Sequence, residues 1–170
     1  MLNFLRHRWQ LLLIVALGLA LAGTVLFFTV LQRAPQAPSQ DGRLHLVLDH
    51  AERDYVLGEM RHLLVAVQAI VDAAAAGDMA RVAIEARKVG MADVKKIPTA
   101  MRAGLIGKLP AEFRKLGFGT HEAFDALALD AESLGDREHT MQQLAVLMQK
   151  CIACHAAYTV LPPADTEKPR

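Results

Sequence analysis

Apolar residues fall into distinct regimes along the chain. From Trp9 to Leu31, "WQLLLIVALGLALAGTVLFFTVL", there is no charge for 23 residues and no polar face. About 20 such residues span a bilayer as a helix, so residues 9–31 are predicted to be a transmembrane anchor. Arg6, His7 and Arg8 precede the run and Arg33 follows it. That basic excess predicts a cytoplasmic N-terminus over residues 1–8, with everything beyond the run exported. The expected location is the inner (cytoplasmic) membrane, single-pass, with the C-terminal domain in the periplasm. "ALAG" at Ala20–Gly23 has the small residues of a signal-cleavage site, but the run outlasts a signal core, which favours the anchor over a long signal sequence.

Residues 32–43, including "RAPQAPSQDG", are Pro-rich and read as an extended linker. After them the apolar period becomes helical. Val56, Met60, Leu63, Val67 and Ile70 recur at steps of three and four, within a helix expected from about Leu46 to Ala76. Gly77-Asp78 should stop it and cap the next. A second helix, Met79 to Lys96, carries Val82, Ala86 and Val89 on one stripe and ends before Pro98. Thr99–Gly119 is less regular, with a short helix expected between Pro110 and Gly117. Thr120 is a plausible N-cap for a third long helix with Phe124, Leu127, Ala131 and Leu134 on one face. Gly135 should end it and Asp136 should cap a fourth.

In that fourth helix Met141, Leu144, Met148, Cys151, His155 and Tyr158 recur at helical spacing, as on a bundle seam. No strand signal appears. The fold class predicted is all-α: an antiparallel four-helix bundle over residues 44–161, with an N-terminal transmembrane helix and a polar, disordered tail over 162–170.

Composition changes little in this picture. At 170 residues the chain has room for one domain. All 18 acidic and 17 of the 19 basic residues follow Leu31, leaving that part at −1, which argues against nucleic acid as a partner. No substrate-handling triad or carboxylate pair suggests an enzyme.

The chemistry sits in "CIACH", Cys151 to His155, which holds both cysteines of the chain. A thioredoxin-like dithiol is expected beside a βαβ pattern, and none is present. A zinc site usually draws four ligands from two such clusters, and there is one. The third reading is covalent haem c attachment, whose signature is C-x-x-C-H. Two thiols three apart on a helix can each add to one vinyl group of a porphyrin, and the adjacent imidazole can bind the iron. Cys151 and Cys154 are then the thioether residues and His155 the proximal ligand of a single covalent haem c. With two cysteines and seven histidines, the pattern arises by chance roughly once in 2,000, so it is specific.

Haem function turns on what faces His155 across the porphyrin. Met141 and Met148 share a helix with His155 and cannot reach the opposite face. Met79, Met91 and Met101 fall at helix ends or in the irregular link. Met60, mid-helix on the apolar stripe, is the best-placed distal ligand; its competing reading is core filler. His45, His50 and His62 read as surface residues of the first helix.

A helical bundle with "CIACHAAY" at Cys151–Tyr158 and "EMRHLLVAVQAIVDAAAAGD" at Glu59–Asp78 resembles the class II cytochromes c, the cytochrome c-prime family and its low-spin relatives. The resemblance implies a Met followed by a basic residue at the distal haem face of low-spin members, matched by Met60-Arg61. It also implies haem-adjacent places for Arg61 and Tyr158, with Arg61, and more weakly Arg53, against the propionates. The anchor and the Thr99–Gly119 link depart from the family pattern. The expected function is a monohaem c-type cytochrome carrying single electrons to a transient redox partner protein. The alternative is a pentacoordinate protein binding NO or CO. A homodimer through the first two helices is compatible with "DAAAAGD".

Overall fold

The computed structural model describes residues 2–27, 36–39 and 41–160. The chain forms two compact units, residues 1–34 and 35–170. In the first, α1 covers Leu2–Leu26. Among its described side chains Leu12, Ile14, Leu17 and Leu21 are exposed. Among the described residues no helix is long and apolar enough to cross a membrane. The expected transmembrane anchor and the inner-membrane location with a periplasmic domain are therefore overturned. α1 begins in the basic segment, and the part of the run that it includes among the described residues, Trp9–Leu26, is about 27 Å long at 1.5 Å per residue, against a hydrocarbon core of about 30 Å. Phe28–Leu31 and the tail 162–170 lie outside the described residues.

The second unit is mostly helical, in keeping with an all-α class, but it opens with strands that the sequence did not announce. β1 (Gln36–Pro38) pairs antiparallel with β2 (Leu44–Leu46), which pairs parallel with β3 (Tyr158–Thr159). Within the extended linker expected over 32–43, Gln36–Pro38 are thus paired in a sheet and Arg43 contacts the end of the last helix. Arg43 Nη1 donates to the carbonyls of His155 and Tyr158 at 3.2 and 3.4 Å. Asp41 lies 2.6 Å from the same guanidinium, which holds its carboxyl well below the usual range.

α2 runs unbroken from His50 to Ala75. Its start is a capping box: Asp49 accepts from Glu52 N at 2.9 Å and Glu52 accepts from Asp49 N at 3.0 Å. Leu46, assigned above to this helix, belongs to β2. The expected stop holds: Gly77 takes a φ of +75°, Asp78 N bonds to Ala73 O, and Gly77 N to Ala74 O. Asp78 then caps α3 (Met79–Arg87).

α3 is shorter than expected. The chain breaks at Lys88–Gly90 and resumes as α4 (Met91–Val94). The cause is tertiary. Asp125 of the facing helix accepts from Met91 N at 2.9 Å, and His121 Nδ1 meets Val89 O at 2.8 Å. The link Thr99–Gly119 is also more regular than expected. α5 covers Thr99–Lys108, and Lys108 reaches back to the buried Glu52 at 2.6 Å. α6 then runs from Ala111 to Leu134 without stopping at Gly117. Thr120 is therefore no cap: it is buried mid-helix and its hydroxyl donates to Leu116 O. Gly135, at φ +62°, and Asp136 separate α6 from α7 (Arg137–Ala157) as expected.

α2 packs on α3 and α7, and α6 packs on α3, α4 and α7. Two apolar clusters result. One joins Ala66, Ile70, Val82, Ala86, Phe124, Leu127, Leu144 and Leu147. The other joins Leu46, Val56, Leu105, Leu109, Phe113 and Tyr158. The α7 seam differs from expectation: Thr140, Leu144 and Leu147 are buried, while Met141 and Met148 are 40% and 43% exposed. Leu134 is exposed as well.

Gly90 offers a test of the tertiary break. A Cβ there would sit 1.8 Å from Asp125 Oδ1, so Gly90→Ala must displace that carboxylate. We predict that Gly90→Ala costs about 1 kcal/mol, the worth of one hydrogen bond. In an Asp125→Ala background the same change should be neutral or slightly stabilising, since its φ suits alanine. Urea denaturation of the four chains measures the coupling; equal costs in both backgrounds would refute the account.

Candidate functional site

One end of the second unit contains an apolar cavity of about 490 Å³. This lies within the range of about 300–1,000 Å³ typical of ligand and cofactor pockets. α2 contributes Met60, Leu63 and Val67; α5 contributes Leu105; α6 contributes Phe113 and Phe124; α7 contributes Met148, Cys151, Cys154 and His155. The stripe read along α2 is therefore split in its use. Ile70 is fully buried in the close-packed cluster, while the residues before it face the cavity.

Both cysteines, His155, Met60 and Arg61 line this cavity, so it brings together a turn of α2 and the last turns of α7, which are about ninety residues apart in sequence. Cys151 and Cys154 are half-buried free thiols, and His155 is exposed at the rim. Tyr158 is buried just beyond. It does not line the cavity but packs edge-on against Phe113, which does, with ring centroids 5.2 Å apart. Arg53 is also outside the lining and contacts Asp54 at 3.5 Å. Met60 and Met148 are the methionines of the lining. α7 is continuous from Arg137 to Ala157, so Met148 stays on the same wall as His155. α2 supplies the other.

The walls carry basic groups that sequence reasoning passed over. Lys150 and Arg114 line the cavity beside Arg61. Arg114 is committed, since its Nη1 donates to Ile106 O and Leu109 O at 3.0 and 2.9 Å. Only the assembled α6–α7 pair shows where these two point. Lys150 immediately precedes Cys151, and that proximity was the one hint available in the sequence.

A second polar group lies at the α2 end of the cavity. Glu59, His62 and Asp93 place one possible ligand atom each within 4.8 Å of one another. Burial first, and then the nearby Asp93, push the Glu59 carboxyl above its usual range. The same environment raises the Tyr55 phenol, mainly by burial. His62, read as a surface residue, is 45% exposed yet reaches Asp93 Oδ2 at 3.4 Å.

No protein-family model, curated protein or solved structure matches the chain. The chemistry of the site must be argued from its residues.

Burial pushes both thiols up, Cys154 to about 11, with Cys151 a smaller cause. At pH 8 this leaves on the order of a hundredfold less thiolate than an ordinary thiol, partly offset by higher intrinsic nucleophilicity. We predict that iodoacetamide alkylates Cys154 of the unmodified folded chain at least about tenfold more slowly than the denatured chain. Mass-mapped alkylation rates at pH 8 check this; equal rates would contradict the burial.

Proposed function

We propose that the second unit is an antiparallel four-helix bundle of α2, α3, α6 and α7 that binds one covalent haem c and carries single electrons. The tight connections α2–α3 and α6–α7, and the packing of α2 on α7, support the bundle. The observation that carries the function is that Cys151, Cys154, His155 and Met60 all line one apolar cavity.

The residues fit the group. The donor set is two thiols spaced for two vinyl groups, an imidazole next to them, and a thioether on the opposite wall. The walls are aliphatic and aromatic, as a porphyrin face requires. An apolar void of this volume would cost on the order of 10 kcal/mol at about 24 cal/mol per Å³. That is an upper figure, because Arg61, Leu64 and His155 are exposed at the mouth. That cost favours an occupant of the cavity over an empty one.

When bound, the haem supplies a reversible one-electron iron couple. The chain does the rest. Cys151 and Cys154 would hold it by thioether bonds, and His155 and Met60 would ligate its iron. Phe113, Phe124, Leu105 and Val67 line the cavity and would exclude water from the group, which favours a higher potential. Arg61 and Lys150, which line the cavity, would pair with propionates, whereas Arg114 is held by carbonyls. The exposed His155 edge is where a redox partner would dock, weakly and transiently. The resemblance to class II cytochromes c implies the same roles for Cys151, Cys154, His155 and Met60. The second reading, NO or CO binding at an open iron position, follows if Met60 only fills space beside Tyr55 and Leu105.

The test is to purify the chain from cells able to mature c-type haem. The expected result is covalent haem stain, lost in Cys151→Ala/Cys154→Ala, and a low-spin spectrum with the weak far-red ferric band of Met ligation. Met60→Ala should become high-spin, bind CO and show a lower reduction potential. A high-spin parent that binds CO supports the gas-binding reading instead. A colourless parent with the mass of its polypeptide would end both.

A further inference from the structure

We infer that Glu59, His62 and Asp93 form a binding site for one divalent transition-metal ion of the zinc class. Glu59 and His62 are three apart on α2 and share a face. Asp93 comes from α4, which lies along α6 and brings its carboxylate to that face. The three ligand atoms lie within 4.8 Å of one another.

The Asp93 carboxylate is what points to an ion. Its side chain is only 6% exposed. One oxygen is accounted for: Oδ1 accepts from Lys96 Nζ at 2.7 Å. The other, Oδ2, is buried with no hydrogen-bond partner. Leaving such an atom unmatched is costly, so it calls for a ligand. Its nearest ring atom is His62 Nδ1 at 3.4 Å. That is long for a hydrogen bond. It matches the edge of a tetrahedron around an ion whose bonds are about 2.0–2.1 Å, which is about 3.4 Å. Glu59, with a carboxylate oxygen within 4.8 Å of the other two ligand atoms, would supply the third corner.

Charge and donor type agree. Two carboxylates drawn together out of water repel each other, and a dication offsets that. Lys96 does so weakly, being 70% exposed and bound to the far oxygen. Two oxygens and one imidazole nitrogen suit zinc or a neighbouring first-row ion. Calcium asks for six to eight oxygens, and magnesium keeps an octahedral water shell. The exposed His62 leaves a solvent route to the fourth position. A bound ion would clamp α4 to the turn of α2 that carries Met60. None of this requires haem, since neither the cysteines nor His155 take part.

The experiment is equilibrium dialysis of the full chain, as purified, against zinc chloride, followed by zinc-edge X-ray absorption. One zinc per chain is expected, with a nitrogen and oxygen shell at about 2.0–2.2 Å and no sulfur near 2.3 Å. His62→Gln and Asp93→Asn should each weaken binding at least tenfold. His62→Gln alters an exposed side chain, so it tests the site even where Asp93→Asn unfolds the chain. The control His50→Gln should bind as the parent does. A parent that takes up no zinc at millimolar concentration, equal binding by His62→Gln, or a sulfur shell from Cys151 and Cys154 would each overturn the assignment.

Discussion

α2, α5, α6 and α7 present apolar side chains to one another across a cavity that those side chains line without filling. This packing constraint organises the folded unit. At the end where Ala66, Ala73, Ala83, Ala86, Ala128 and Ala131 are buried, small side chains let the helices pack into one apolar cluster. At the other end the lining is built of Met60, Leu63, Leu105, Phe113 and Phe124, and a volume of about 490 Å³ remains between them. Protein interiors pack like organic crystals, so a space with apolar walls of that size stands apart from the rest of the core.

The parts around the cavity make sense as its supports. The capping box at Asp49–Glu52 and the Lys108 contact to Glu52 tie α5 to the start of α2. Arg43 and the short parallel pairing of β2 with β3 secure the end of α7, one turn from His155. Both walls that carry the chemistry are therefore fixed at their ends. On α7 the half-buried thiols are held neutral, and on α2 Met60 lies within the apolar stripe. The Glu59–His62–Asp93 group adds a further tie between α2 and α4.

Several errors of sequence reading share one physical origin. Glycine was taken as a helix stop at Gly117, yet α6 runs through Gly117 and Gly119 because Phe113, Thr120 and Phe124 bury on the same face. A glycine costs only about 1 kcal/mol in a helix, less than that burial returns. The break at Lys88–Gly90 was missed because its hydrogen-bond partners, Asp125 and His121, lie on another helix. The uncharged run at residues 9–31 predicts a span by its length alone, whereas no helix among the described residues is long and apolar enough to cross a membrane. The β1–β2–β3 sheet escaped notice since two- and three-residue strands carry no period.

The sequence by itself determined the helical class, the α2–α3 and α6–α7 turns, and the motif Cys151–His155 with its chemical options. Periodicity, left-handed glycines and Asp caps are local, and local signals survive in a linear chain. Tertiary structure alone decided that Met60 shares a cavity with that motif, that Lys150 and Arg114 join it, and that His62 meets a buried Asp93. Those juxtapositions link residues 30 to 95 positions apart. Only the packing of whole helices, driven by apolar burial, brings such residues within reach.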